Sequence, residues 1–227
     1  MKKTVAPLSF RQAEVVWLAG ALAGALFFAS LIGFAALRTD GYAHGRKAVS
    51  ELGALGAPSA LAFNLLGFIV PGLLLAWFAL ALMRIAHQRT GPMLLMGSGL
   101  MLAAAGVFPL DLDDYASALT VAHAIGAMGS GLLWAMALCW LGPLFARQLG
   151  WQVWGRLTPC FMGFVLLNIG WQAAFRSGAD VLPGWGQRIG FLGYFLWFAI
   201  TAILLWRSRA LIAGAGHAAR QGEGDAA

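Results

Sequence analysis

In a chain of 227 residues, a content of 60% hydrophobic and 11% charged residues, with mean hydropathy +0.77, excludes an ordinary soluble domain, in which about a quarter of the residues carry charge. The net charge of +6 comes without a basic run interleaved with aromatics, so a nucleic-acid partner is not expected, and a role in membrane orientation accounts for the cations better. Cys139 and Cys160 lie within or at the ends of apolar stretches and imply no disulfide framework.

In chain order, Lys2 and Lys3 precede an apolar run, Val15–Leu37, that is too long for a signal-peptide core and is read as a span that stays. Gly20 and Gly24 within it have the spacing of close-packed helix positions. A long loop, "RTDGYAHGRKAVSELGALGAP", leads to a second span, Ser59–Met83, with a capping hydroxyl at Ser59 and a kink expected at Pro71. The third span, Pro92–Leu110, starts on a proline and ends at the acidic loop "DLDDYAS". Spans Ala118–Leu141, Leu157–Phe175 and Ile189–Trp206 complete a set of six, each near the ~20 residues that cross a bilayer. The expected fold is thus all-α: one six-helix transmembrane domain over 1–209, followed by a disordered tail over 210–227.

Ten Lys and Arg residues fall on the side bearing the termini and five on the other. The positive-inside rule then puts both termini in the cytoplasm of a bacterial or archaeal inner membrane. Six of the nine acids (Asp40, Glu51, Asp111, Asp113, Asp114 and Asp180) lie on the outer side, which is where chemistry is expected. Polar side chains within a bilayer are costly and mark either function or helix–helix hydrogen bonds. Asn64, His123, Asn168 and Gln172 share a similar outer depth, and the inner halves of the spans show no comparable set.

Each of these residues also has a purely structural reading. Asn168 and Gln172, four residues apart on one face, could simply bond another helix. Glu51 could brace a loop helix through backbone N–H groups. Asp111, following "FP", is the acid of its loop best placed to point inward. Together Asp111, Asp113, His123 and Glu51 would make a hard O/N set for zinc or a similar divalent ion, without diagnostic ligand spacing. Neither haem nor nucleotide is expected, since paired axial histidines at suitable depth, a Walker loop and a dinucleotide fingerprint are all missing. Ser50 or Ser117 could be a nucleophile beside His123.

The stretches "AVSELGALGAPSALAFNLLGFIVPGLLL" and "GVFPLDLDDYASALTVAHAIGA" resemble a bacterial and archaeal family of six-helix membrane proteins known as domain of unknown function number nine hundred ninety-eight. The residues that carry the likeness are Ser50, Glu51, Leu52, Gly53, Ala54, Asn64, Gly67, Phe108, Pro109, Asp111 and His123. The resemblance implies a six-helix fold and groups Glu51, Asn64, Asp111 and His123, but it brings no reaction. A looser likeness, to polytopic lipid hydrolases with His, Asp and Ser ligands around a metal, breaks down where the later spans contain no histidine.

The first functional expectation is an outward-facing polar pocket that binds or hydrolyses a lipid or other small amphiphile. In it His123 is base or ligand, Asp111 and Glu51 are its partners, and Asn64, Asn168 and Gln172 contact the substrate. The alternatives are a small proton-coupled transporter and a non-catalytic membrane scaffold.

Overall fold

A backbone in hydrocarbon finds no water for its N–H and C=O groups, so each apolar run must satisfy them along itself, as a helix. The computed structural model describes residues 10–86, 88–179 and 181–224, with side chains over 17–84, 86, 88–179 and 181–208. Its helices are α1 (Phe10–Ala36), α2 (Ala60–Arg84), α3 (Thr90–Val107), α4 (Ala118–Gln148), α5 (Gln152–Arg176) and α6 (Pro183–Gly224). All six are long and apolar enough to cross a membrane, and no strand occurs among the described residues. The protein is a polytopic helical membrane protein with the expected six-span, all-α architecture.

α6 continues past Trp206 to Gly224, through the residues expected to form a tail from Ala210. The side chains of 209–224, all of 225–227, and the outer acid Asp180 lie outside the described residues. With six antiparallel spans, α1 starts and α6 finishes at one end of the bundle, the terminal end. The loops after α1, α3 and α5 share the other, the loop end.

Each helix packs on the next in chain order, and α6 packs back on α1 to close a ring. Large rings fill the middle. Phe27 meets Phe195 and Phe191 with centroids 4.6 Å apart in each pair, and Phe68 borders the same cluster. Towards the terminal end, Trp134, Tyr194, Trp197 and Phe198 form a second edge-to-face stack. Lipid tails are as apolar as these side chains, so close packing rather than water exclusion holds the ring together. Glycines permit that packing. A methyl on Gly72 would sit 2.5 Å from the Gly99 carbonyl oxygen, and one on Gly99 would sit 2.6 Å from the Gly72 oxygen, so α2 and α3 meet backbone to backbone. Gly20 and Gly24 have the role their spacing suggested, seating α1 on Phe78 and Ala202 and on Phe195.

α2 departs from regular geometry where the sequence puts strain on it. After one α-helical turn, Ala60–Phe63, the helix widens to a π turn over Asn64–Ile69, then resumes at Val70. Pro71 has no N–H and its ring crowds the carbonyl four residues back, and a wide turn immediately before it relieves both demands. Ser59 precedes the helix but does not cap it: its side chain makes no cap hydrogen bond and its φ is +60°. Ser117 does cap α4, accepting from the Thr120 N–H.

The glycine packing is testable by thermal unfolding in detergent. Gly99→Ala forces two backbones apart and is expected to cost about 1–3 kcal/mol. Gly33→Ala, at a position with nothing within 4 Å, should leave the melting temperature unchanged.

Candidate functional site

The first loop folds against the loop end of the bundle through a short 3-10 turn, Val49–Gly53. Its Val49, Leu52 and Ala54 are buried, and the first two join the hydrophobic core. Glu51 lies on this turn and serves it locally: Oε1 accepts from the Ala48 N–H at 2.8 Å and Oε2 pairs with Lys47 at 3.1 Å. Asn64, in the π turn and 5% exposed, donates from Nδ2 to the Gly53 carbonyl at 2.8 Å. Its Oδ1 lies where a Cβ on residue 53 would stand, so only glycine fits there. Leu55 N–H donates to the Leu110 carbonyl at 2.8 Å and ties this loop to the one after α3.

That second loop is built in the same way. Asp111 Oδ1 accepts from the N–H groups of Asp113 and Asp114, a side-chain-closed turn. The Asp111 N–H donates to Thr120 Oγ1 at 2.9 Å, which fixes the loop on the first turn of α4.

His123, 6% exposed, comes next on α4, and its Nδ1 stands 2.8 Å from the Ala105 carbonyl and 3.0 Å from that of Phe108. Two carbonyls around one ring nitrogen require that nitrogen to carry the proton. The imidazole thereby satisfies carbonyls at the C-terminal end of α3 that no helical N–H can reach. Its other nitrogen, Nε2, makes no hydrogen bond to a described residue. A histidine held by a carbonyl at one nitrogen presents a fixed lone pair at the other, the arrangement used by ligand and base histidines.

The structure thus unites the elements that carry Glu51, Asn64, Asp111 and His123 at one end of the bundle, but no hydrogen bond joins Glu51, Asp111 and His123 to one another. Nor does the Asp111–Asp113–His123–Glu51 ligand set assemble: among the described residues, no group of three His, Cys, Asp or Glu side chains could hold a metal ion. Ser117 Oγ is engaged with Thr120 rather than with His123.

Asn168 and Gln172 lie on α5, the least embedded of the six helices. At the terminal end α5 is tight on α4, with the Gly155 carbonyl oxygen 2.8 Å from where a Gly142 methyl would be and Cys139 Sγ 3.7 Å from Met162 Sδ. Beyond Met162 it leans on α6 instead, and none of Met162–Arg176 is buried. On α4, Gly131 lies eleven residues before Gly142 and so on almost the same face, yet nothing comes within 4 Å of it. The loop-end halves of α4 and α5 therefore diverge, leaving a crevice open to the lipid, with α6 behind it.

The α5 face turned to α6 is anchored by Gln172 Nε2, which donates to the Pro183 carbonyl at 3.0 Å, and by Trp171 Nε1, which donates to that of Leu182 at 2.9 Å. Asn168 packs against Gly190, 3.3 Å from its Cβ position, and makes no hydrogen bond; its Oδ1 is buried and unpaired. Of the six residues singled out from sequence, only Asn168 has a fully buried polar atom without a partner among the described residues.

A second polar system was missed by the sequence reading, which found nothing comparable in the inner halves. Gln187, Tyr194, Thr201 and Ser208 recur every seven residues along α6, which keeps them close to one face. Each has a partner on a different part of the ring. Gln187 Oε1 accepts from Val49 N–H at 2.9 Å, Tyr194 bonds Ser98 and Ser130 on α3 and α4, Thr201 accepts from Trp154 Nε1 at 3.2 Å, and Ser208 accepts from Trp151 Nε1 at 3.1 Å. Trp197 Nε1 adds a bond to Thr158 Oγ1 at 3.3 Å. The periodicity of hydroxyls and carboxamide in a hydrophobic helix was the available signal.

The hydroxyl directions at mid-bundle are determined. Ser98 donates its one proton to the Ser130 carbonyl at 2.8 Å, so Tyr194 must donate to Ser98 Oγ, and Ser130 Oγ donates to Tyr194. Every donor in this ring is used. The adjacent Trp134 Nε1 is buried without a partner.

A closed ring of membrane-spanning helices locked by neutral hydrogen bonds, with polar groups collected at one end, defines a multi-pass helical membrane protein of a compact six-span type. A family model described as "Protein of unknown function (DUF998)" matches residues 22–204, and the chain belongs to that family. Neither curated proteins nor solved structures gave a match.

Tyr194→Phe removes one donor and one acceptor from the buried ring, leaving Ser98 and Ser130 short of partners. It is expected to destabilise by about 1–3 kcal/mol, read as a lower melting temperature in micelles, with Ser98→Ala in the same background adding less than it does alone.

Proposed function

We propose that the protein binds a membrane amphiphile, which enters sideways from the lipid through the crevice between α4 and α5. The observation that carries this reading is the unpaired Oδ1 of Asn168, buried on the α5 face turned to α6, which an occupant would reach where α5 parts from α6 behind the crevice. A polar group at this depth with no protein partner costs free energy that a bound hydrogen-bonding headgroup or linker would recover. The apolar chain would lie along Gly131 and the exposed face of α5, where Leu166 and Ile169 are available. Ligand pockets of this kind are largely apolar with a few convergent polar atoms.

Binding is better supported than hydrolysis. General acid–base or nucleophilic chemistry needs its groups within hydrogen-bond reach of one another, and Glu51, Asp111 and Ser117 are each occupied locally. Proton-coupled transport has less support still, because the mid-bundle hydroxyls form a closed circuit with no free proton to pass on. The distribution of Lys and Arg supports cytoplasmic termini in a bacterial or archaeal inner membrane, which would set the crevice in the outer leaflet.

The test is photolabelling in nanodiscs with a diazirine-bearing monoacylglycerol, followed by peptide mapping. Labelling is expected to concentrate on residues near 131, 165–169 and 190. Asn168→Leu should reduce it at least tenfold without lowering the melting temperature, because the change deletes an unpaired polar group. Labelling spread evenly over all lipid-facing helices, or unchanged in Asn168→Leu, would overturn the proposal.

A further inference from the structure

Arg188 is a guanidinium with 8% exposure and no carboxylate within ion-pairing distance among the described residues. It lies in the second turn of α6 at the loop end, and all five of its N–H groups point at neutral acceptors. Nη1 donates to the Lys47 carbonyl at 2.9 Å and the Gly184 carbonyl at 2.8 Å. Nη2 donates to Tyr42 Oη at 2.7 Å, and both Nη2 and Nε reach His44 Nδ1, at 3.2 and 3.4 Å. Tyr42 passes the connection on, its hydroxyl donating to the Ala48 carbonyl at 3.1 Å. Four acceptors (Tyr42, His44 and the Lys47 carbonyl from the first loop, and the Gly184 carbonyl from α6) thus share one cation. Around it the loop is held by the Val49 N–H on Gln187 and by the Gly184 N–H on the Gly45 carbonyl at 2.8 Å.

The His44 contact can exist in only one ionisation state. Its Nδ1 accepts from a positively charged donor, so it must carry a lone pair. Protonation would replace that lone pair with an N–H aimed at the guanidinium and place two cations in contact. Among the described residues no free carboxylate faces the imidazolium. On the loop, Glu51 is committed to Lys47 and the Ala48 N–H, and Arg38, at the end of α1, is paired with Asp40. From α6 the facing groups are Arg188 and the uncharged Gln187.

We propose that the first loop is a pH-released strap: neutral His44 helps to hold Arg188, and protonation of the imidazole frees the loop from α6. The strap carries Val49 and Leu52, which plug the loop end of the aromatic core, so its release uncovers that core. Partial burial and then the Arg188 charge both push the His44 pKa below its usual value. The sign follows from linkage. The unfastened loop binds the proton more readily than the fastened one, so stability is fully present above the ordinary histidine pKa of about 6.5 and declines as pH falls below it. The inference rests on this contact alone and stands whether or not an amphiphile occupies the crevice.

The experiment is amide hydrogen exchange of residues 42–50 in nanodiscs between pH 8 and 5, corrected for intrinsic exchange. Wild type should lose protection at least tenfold across that range, while segments in α3 and α4 do not change. His44→Gln, whose side-chain oxygen accepts from Arg188 without titrating, should keep the loop protected throughout. Constant protection in wild type, or the same loss in His44→Gln, would overturn the proposal. Should His44→Gln fail to fold, Arg188→Gln serves in its place: it removes the facing cation, so the pH dependence should shrink and the NMR-measured His44 pKa should rise towards the ordinary value. An unchanged pKa in Arg188→Gln would equally refute the strap.

Discussion

A polar side chain within hydrocarbon must find its partner inside the protein, and the last helix meets that requirement once every two turns. Gln187, Tyr194, Thr201 and Ser208 reach, in order, the first loop, the pair α3 and α4, the body of α5 and the residue just before it. Each pair is directional, so α6 can satisfy all four at a single rotation and depth. Ring closure, the register of α5 and the seating of the first loop depend on that one choice. Large aromatics fill the remaining volume but are less selective, because neighbouring rotations could bury them nearly as well.

Most of the architecture was legible in the sequence because hydropathy reports directly on what a bilayer tolerates. The six spans, the packing at Gly20 and Gly24, and the concentration of polar groups at one end all follow from that signal. Ser59 misled because a capping residue is recognised by type, whereas its left-handed backbone, at φ +60°, is not the extended conformation of a capping residue. The π turn at Asn64–Ile69 is not readable from hydropathy. It answers to Pro71 from one side and to the Asn64–Gly53 bond from the other, and the second of these is a contact across eleven residues.

The candidate site was legible in location and much less so in role. Glu51, Asn64 and Asp111 lie at one end of the bundle, and each satisfies backbone groups of its own loop or the loop beside it. Irregular backbone at a membrane surface carries many unpaired N–H and C=O groups, and short polar side chains are the economical way to close them. Sequence type alone does not separate that duty from recognition. The separation lies in what is both buried and unpaired, and among the described residues of that group only Asn168 meets the criterion. The α6 seam was overlooked for the opposite reason. Tyrosine and threonine count as half-apolar, so they raise no alarm in a hydrophobic run, although their seven-residue spacing was present.

The seam has an electrical consequence as well as a mechanical one. Its hydroxyls, indoles and carboxamide are all uncharged, and the described charges near the spans lie towards the two ends. A membrane voltage does work of about 2.3 kcal/mol per elementary charge per 100 mV only on charge that moves through the field. The interior of this bundle holds no such charge among its described residues. A change of membrane voltage therefore has no charge among the described residues of the seam on which to do that work.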